Sequence, residues 1–507
     1  MSREQVYQND IEQWLTFKIA NCLKQNPHGI DREQPLISFG FDSLHLQSLF
    51  AEIEDTFLIT IDDSFILNQE NITELSQSIY IHITDQNINP NLEIATIVLA
   101  TSQPDDKKID YSIYTDFKQF PPYQQLKKMQ QALGNNIFFD KQEGIASDTC
   151  VIQGKKYINF TSYNYLGLNN HPTVLKAAID ATKKYGTSVS ASRLVSGEKV
   201  IHQQLEQELA NFIGVDDAIV FNTGHATNVS TIAHLYGPDD LILHDELAHN
   251  SLILGAVYSQ ATRMAFPHND WQTADNILRE NRHHYKRVLI ILEGIYSMDG
   301  DIPNLTHFIN IKNSHGAWLM VDEAHSLGVL GKRGKGISEH FNINPNDIEI
   351  WMGTLSKSLA SIGGYIAGKK ELIEYLKFTC PGFIFSVGIS PASTAAALTA
   401  LEVLRKEPQR VAHLQELSTL ARETALHYGF DIGLNNYTPI LPIIIGDSKK
   451  CISISKQCMK QGINVKPIIY PAVPDNLARL RFFISTKHKQ TQIKKAFATL
   501  AAVVQKY

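Results

Sequence analysis

The feature that most constrains this fold is an alternation that begins near residue 150. Short apolar runs end in polar residues and are separated by segments with helical periodicity. Six runs stand out, at 218–221, 241–243, 288–292, 318–321, 348–352 and 365–367. Runs this short, apolar on both faces, suit strands buried in a mainly parallel or mixed sheet covered by helices. In such sheets, polar residues just beyond the strand ends build the ligand site. Here those residues are Asn222-Thr223-Gly224, His244-Asp245, Glu293, Asp322 and Thr354. Several separate strands are therefore expected to converge on one pocket of an α/β domain.

The N-terminal part reads differently. The 507 residues carry net −6, but residues 1–85 hold 14 acidic and only 4 basic side chains. The other 422 residues hold 38 acidic and 42 basic, so an acidic unit is joined to a mildly basic body. From Glu33 to Asp85 there are ten carboxylates and no Lys or Arg. An acidic solubility tail would lack apolar periodicity. This segment has it, in Ile11, Trp14, Leu15 and Ile19, then Leu44, Leu46, Leu49, Phe50 and Ile53, then Ile72, Leu75 and Ile79. Three helical stretches in 85 residues predict a small folded bundle. Between the first two lies Phe39-Gly40-Phe41-Asp42-Ser43-Leu44, where Asp42 or Ser43 can cap the helix that follows. Residues 86–120 read as a linker, with Pro90, Pro104 and a polar run around Asp105.

Other classes are excluded by what the chain lacks. No apolar run reaches the ~18 residues that would suggest a membrane span. The first 25 residues hold Glu4, Asp10, Glu12 and Lys18 without an apolar core, so no secretory signal is expected. The five cysteines are scattered, odd in number and never in CxxC, which fits a reducing cytoplasm rather than a disulfide framework. His244 and His249 are five residues apart, the wrong spacing for two metal ligands on one helix face, so no metal is expected. Asp322-Glu323-Ala324-His325 also matches a helicase box, but no Walker loop accompanies it, and no nucleic-acid partner is expected.

The strand-end residues carry a coherent chemistry. Thr354-Leu355-Ser356-Lys357-Ser358 places a lysine among hydroxyls, a Schiff-base candidate if its pKa is lowered. Asp322, from a neighbouring strand, is the kind of partner a pyridinium nitrogen needs. Thr223-Gly224-His225 opens a helix after a strand and can cup a phosphate with backbone N–H groups. His249 can lay a flat imidazole on a ring.

This ordered set resembles a known family. The motifs are Tyr163-Asn164-Tyr165-Leu166-Gly167-Leu168, Ala191-Ser192-Arg193-Leu194-Val195-Ser196-Gly197, Glu293 to Asp301, Val321-Asp322-Glu323-Ala324-His325-Ser326-Leu327-Gly328, and Gly353-Thr354-Leu355-Ser356-Lys357. Together they look like the pyridoxal-phosphate-dependent α-oxoamine synthases, the family of 8-amino-7-oxononanoate synthase and serine palmitoyltransferase. The resemblance runs from about residue 120 to the C-terminus. It implies the fold-type I aminotransferase architecture, with a large domain at about 170–395, a small domain at about 396–507, and a homodimer. By motif it implies that Lys357 bonds to pyridoxal 5′-phosphate and that Asp322 pairs with the ring nitrogen. His325 and Ser297 would lie at the ring hydroxyl, with Glu293 close by and His249 stacked on the ring. Thr223, Gly224, His225 and Thr354 would hold the phosphate, and Asn164 and Arg481 the amino-acid carboxylate. His225 departs from the aromatic residue usual there.

Residues 1–85 resemble an acyl carrier protein domain, an all-α four-helix unit. That resemblance implies 4′-phosphopantetheine on Ser43, added by a phosphopantetheinyl transferase and charged by an acyl-loading enzyme. The implied reaction is a decarboxylative condensation of glycine, alanine or serine with an acyl thioester, giving an α-amino ketone and CO2. The fused carrier suggests that the acyl group arrives on the chain's own arm. A linker of about 35 residues spans roughly 30–35 Å as a random coil. The alternatives are an aminotransferase of the same fold and a catalytically silent carrier fusion.

Overall fold

The computed structural model describes residues 3–23, 26–34, 49, 53, 56–57, 71–85, 115–133, 138–470 and 472–507. The chain divides into two compact units, Met1–Gly134 and Asn135–Tyr507. Ser43 and residues 86–114 of the expected linker lie outside the described residues.

In the first unit the described core is helical. Helices α1 (Arg3–Leu23) and α2 (Ile72–Asp85) pack together. Ile11, Trp14, Leu15 and Ile19 from α1 meet Ile72, Leu75, Ile79 and Ile83 from α2. Leu49, Ile53 and Phe57, spaced by four, close the same core. The Trp14 and Phe57 rings meet edge to face at 5.0 Å. Each fully buried Leu, Ile or Phe contributes about 1.5–3 kcal/mol, so a core of this size can hold a small bundle. Helix α3 (Pro121–Leu133) follows in this unit.

The second unit is built on a seven-stranded sheet. Its strands are β1 (Asp217–Phe221), β2 (Leu241–Asp245), β3 (Thr262–Phe266), β4 (Val288–Glu293), β5 (Trp318–Asp322), β6 (Ile350–Thr354) and β7 (Gly364–Gly368). They lie in the order β1-β7-β6-β5-β4-β2-β3. All neighbours are parallel except β7, which runs antiparallel to both β1 and β6. Six strands overlap the apolar runs, although β6 starts two residues into the 348–352 run and extends through Thr354. The seventh, β3, sits at the edge and is mostly half-buried, so Thr262-Arg263-Met264-Ala265 carries no apolar signature.

The register decides what meets at the carboxyl edge. Glu293 pairs with Asp322 across β4 and β5, and Gly364 of β7 lies between Phe221 of β1 and Thr354 of β6. Helix α4 (Gly224–Leu235) leaves β1 at that edge, and α5 (Asn250–Ser259) leaves β2. A Cβ on Gly364 would lie 2.7 Å from the Gly224 Cα, so two glycines let the start of α4 sit directly on β7.

Downstream, β8 (Ile440–Ile444), β9 (Lys466–Ile468) and β10 (Arg479–Phe483) form an antiparallel sheet in the order β8-β10-β9. The segment 191–197 ends in a tight turn anchored by Arg193. Its guanidinium is buried between Glu198 at 2.5 Å and Glu206 at 2.6 Å. A Cβ on Gly197 would sit 2.2 Å from the Ala191 carbonyl oxygen, so only glycine closes that turn. Among the described residues no helix is long and apolar enough to cross a membrane.

Candidate active site

Lys357 follows β6 in the loop that leads back to β7. Burial pushes its amine down to about 8, against the pull of the Asp322 and Glu293 carboxylates, while Arg481 adds to the lowering. Its Nζ stands 5.9 Å from the Tyr163 ring centre. A lysine neutral near pH 8 is a competent nucleophile and proton acceptor. Thr354, at the end of β6, contacts Ser356 through its hydroxyl (2.8 Å) and donates to the Gly363 carbonyl (3.0 Å).

Asp322 is buried at the end of β5. Its Oδ1 accepts the Ala324 N–H at 2.8 Å, and its Oδ2 accepts from Asn228 Nδ2 at 2.8 Å. Glu293, its register partner on β4, accepts the His249 backbone N–H at 2.7 Å. Burial, and then the neighbouring Asp322 charge, push the Glu293 carboxyl well above the ordinary range.

His249 caps α5, and its Nδ1 lies 2.7 Å from the Ser251 hydroxyl. The surrounding protein strips solvent from the ring and lowers its pKa, although the residue keeps an exposed surface. His325 is buried, with Nδ1 2.8 Å from the Tyr165 hydroxyl. Burial, then the Lys357 charge, hold it well below the usual value, so the imidazole is neutral. The loop carrying it is tied down by Glu323, whose buried carboxylate accepts from the Ser326 hydroxyl and from the Ile337 N–H at 3.0 Å.

The two arginines of β10 have different surroundings. Arg479 is buried in an ion pair with Asp299, at 2.6 Å. Arg481 donates to the Ser297 carbonyl at 2.8 Å, and its buried Nε has no partner among the described residues. It packs on Phe483 with the guanidinium carbon 4.9 Å from the ring centre. Electrostatically it reaches Lys357, His325 and His249.

Of the remaining expected residues, Thr223 caps α4 by accepting the Ala226 N–H at 3.1 Å, and both it and His225 are exposed. A Cβ on Gly224 would meet the Thr354 hydroxyl at 3.1 Å, so the first turn of α4 and the end of β6 form one small cradle. Ser297 meets Arg481 through its carbonyl. Asn164 is buried, and its Nδ2 is already shared by the Ala146 carbonyl at 3.1 Å and Asn169 Oδ1 at 2.7 Å. Asp322, Glu293, His249, His325 and Arg481 thus all lie within electrostatic reach of Lys357, while Asn164 is held by its own loops.

These side chains fit pyridoxal phosphate. Only glycine at 224 lets the first turn of α4, whose leading N–H groups can take a phosphate, lie against Thr354. A carboxylate, a neutral imidazole and a lysine with lowered pKa then line the same edge. Sequence reasoning missed Asn228, Ser251, Tyr165 and His268. His268 bridges Asp245 and Asp301 at 2.8 Å each. The available signal for Asn228 was its place one turn after Gly224 on the same helix.

The family model described as aminotransferase class I and II matches residues 155–500, and the phosphopantetheine attachment site model matches residues 13–79. The 8-amino-7-oxononanoate synthase of Treponema denticola is 38% identical over 372 residues, covering 73% of this chain and 94% of that protein. The serine palmitoyltransferase of Sphingobacterium spiritivorum is 38% identical over 353 residues, covering 70% and 88%. A high-resolution structure of SPT with PLP superposes with a TM-score of 0.73 at 28% identity, covering 77% of this chain and 99% of that one. The Sphingomonas wittichii serine palmitoyltransferase gives 0.73 at 26% identity, covering 77% and 98%.

Proposed function

The chain belongs to the class I and II aminotransferase family, in its α-oxoamine synthase branch, and from that premise we propose that it condenses a small amino acid with an acyl group carried on its own phosphopantetheine arm. The enzyme is a pyridoxal-phosphate-dependent acyltransferase, and its second cofactor is 4′-phosphopantetheine. The observation that carries the proposal is the presence in one chain of a phosphopantetheine attachment match, at 13–79, and a lysine with its amine lowered to about 8. We assign residues 1–85 to the carrier, 86–120 to a linker and 121–507 to a catalytic body that acts as a homodimer, with α3 belonging to that assignment although it clusters with the first compact unit.

Pyridoxal phosphate supplies an aldehyde for amine capture and a ring that accepts electrons. The residues of this chain bind and orient it. Backbone N–H groups at Thr223, Gly224 and His225 would hold the phosphate, with Thr354 beside them once its hydroxyl turns from the Gly363 carbonyl to donate there. Asp322 would face the ring nitrogen, His249 would stack on the ring, and His325 and Ser297 would lie at its hydroxyl with Glu293 close by. Arg481, with its Nε unpartnered among the described residues, takes the carboxylate of the amino acid together with Asn164. Lys357 Nζ removes the Cα proton. The Cα then bonds to the thioester carbonyl carbon, the carbon–sulfur bond breaks, and the arm leaves as a thiol. Loss of CO2 and return of a proton give the α-amino ketone. Glycine, alanine and serine each fit this balance.

The test is acyl transfer from the arm. A phosphopantetheinyl transferase should add one arm to the wild type and none to Ser43→Ala. Ser43→Ala should bind cofactor and amino acid normally and lose product from carrier-bound acyl groups. Equal turnover of acyl-CoA by both proteins, with no gain on acylating the wild type, would refute delivery by the fused carrier.

A further inference from the structure

Helix α4 does two things at once. Its first turn carries Thr223 and Gly224 at the cradle. One turn later, on the same face, Asn228 points into the protein and is 1% exposed. Asn228 Nδ2 donates one hydrogen to Asp322 Oδ2 at 2.8 Å and the other to Ser251 Oγ at 2.9 Å. A carboxylate oxygen can only accept, so the amide orientation is fixed: flipping it would set Oδ1 against Asp322. The Oδ1 left over is buried without a partner among the described residues. An unsatisfied buried carbonyl is costly, so the two donated bonds are held at a penalty.

The roles propagate. Ser251 is also 1% exposed and has already accepted from Asn228. Its own hydroxyl proton then goes to His249 Nδ1, 2.7 Å away. The Ser251 backbone N–H points to the same nitrogen at 3.3 Å. Two donors converge on Nδ1, which must therefore be the bare acceptor, with the imidazole proton on Nε2.

We propose that Asn228 and Ser251 are positioning residues that lock Asp322 and His249 together and hold His249 as the Nε2–H tautomer. The proposal rests on the cofactor reading above, because Asp322 and His249 are the groups assigned to the ring's edge and face. The run Asp322–Asn228–Ser251–His249 ties β5, α4 and α5 into one unit. Because α4 also carries the cradle, the ring's two partners are set in register with its phosphate.

Two measurements test it. In cofactor-free wild type, ring 15N NMR of histidine-labelled protein, with His249 assigned by its loss in His249→Gln, should report the Nε2–H tautomer. A dominant Nδ1–H tautomer would overturn the proposal, whether or not the protein takes up pyridoxal phosphate. The second is cofactor dissociation, followed by absorbance on dilution. Asn228→Ala should weaken cofactor binding about tenfold or more, and Ser251→Ala by less. Ser251→Thr, which keeps the hydroxyl, should restore wild-type retention. The double variant should fall short of the product of the two single effects, because either change breaks the same run. Effects that simply multiply, or a Ser251→Thr no better than Ser251→Ala, would show two unconnected structural contacts. A wild type that never retains pyridoxal phosphate would instead sink the cofactor reading and leave the tautomer result standing.

Discussion

Replacing His268 should change the pH dependence of stability, not merely its level. His268 Nδ1 is 2.8 Å from Asp245 Oδ1, and Nε2 is 2.8 Å from Asp301 Oδ2. Facing a carboxylate on each side, both ring nitrogens must donate, which requires the imidazolium. Burial opposes that charge, but the two hydrogen bonds and the two aspartate charges outweigh it and raise the pKa to about 10. An unfolded histidine titrates near about 6.5. A pKa raised by folding stabilises fully below the unfolded value, and the gain is lost as pH rises through the folded one. The window is therefore about pH 6.5 to 10, and the full contribution is about 5 kcal/mol. Of this about 4 kcal/mol remains at pH 7 and about 1.4 kcal/mol at pH 9. Urea unfolding of the full chain, wild type and His268→Gln, at these two pH values measures the difference. Trp271, Trp318 and Trp351 report the catalytic unit by fluorescence, and titrating groups away from position 268 cancel. The wild-type advantage should shrink by about 2.5 kcal/mol from pH 7 to pH 9. An advantage constant to within about 0.5 kcal/mol, the usual scatter of such differences, would refute a buried imidazolium.

Two further outcomes follow from the site. Uptake of pyridoxal phosphate by cofactor-free protein needs the neutral amine of Lys357, so its rate should climb with pH and level off just above about 8. Stopped-flow absorbance showing a rate still climbing toward about 10.5, the ordinary lysine value, would contradict the lowered pKa. Arg479→Met should strand the buried Asp299 carboxylate and cost about 3–5 kcal/mol, read as a lower melting temperature. Arg481→Met should instead leave melting nearly unchanged and raise KM for the amino acid about tenfold to a hundredfold, the worth of a charge-assisted hydrogen bond. Equal effects of both changes on melting and KM would remove the distinction between them.

How much of this was legible in the sequence depends on where each residue sits. Strands β1, β2, β4, β5, β6 and β7 announce themselves because a strand buried on both faces must be apolar throughout. Edge strand β3 is half-buried, so Thr262 and Arg263 are tolerated and the signal vanishes. Asp322, Glu293 and Thr354 were readable for the converse reason: a polar residue that directly ends an apolar run is set at the sheet's carboxyl edge by the strand itself. Arg479 and Arg481 are indistinguishable by spacing, since both fall on one face of β10. Only the neighbour opposite each decides that one is tied into an ion pair and the other keeps a bare Nε.

Asn228, Ser251 and His268 fall into a different class. Asn228 and Ser251 are polar residues within helices and His268 lies in the turn after edge strand β3, and in a linear reading such residues are ordinary surface. Their positions become meaningful only through three-dimensional register. β4 pairs with β5 so that Glu293 lies beside Asp322, and α5 packs on α4 so that Ser251 reaches Asn228. The consequence is physical as well as interpretive. Two adjacent parallel strands ending in carboxylates would repel each other if nothing intervened. Here each carboxylate receives a different donor: Asn228 and the Ala324 N–H on Asp322, and the His249 N–H on Glu293. The donor to Glu293 is the backbone of the residue whose side chain Ser251 and Asn228 tie to Asp322. The same short segment thus separates the two carboxylates and links them, so a change at Asn228 should be felt on both strands.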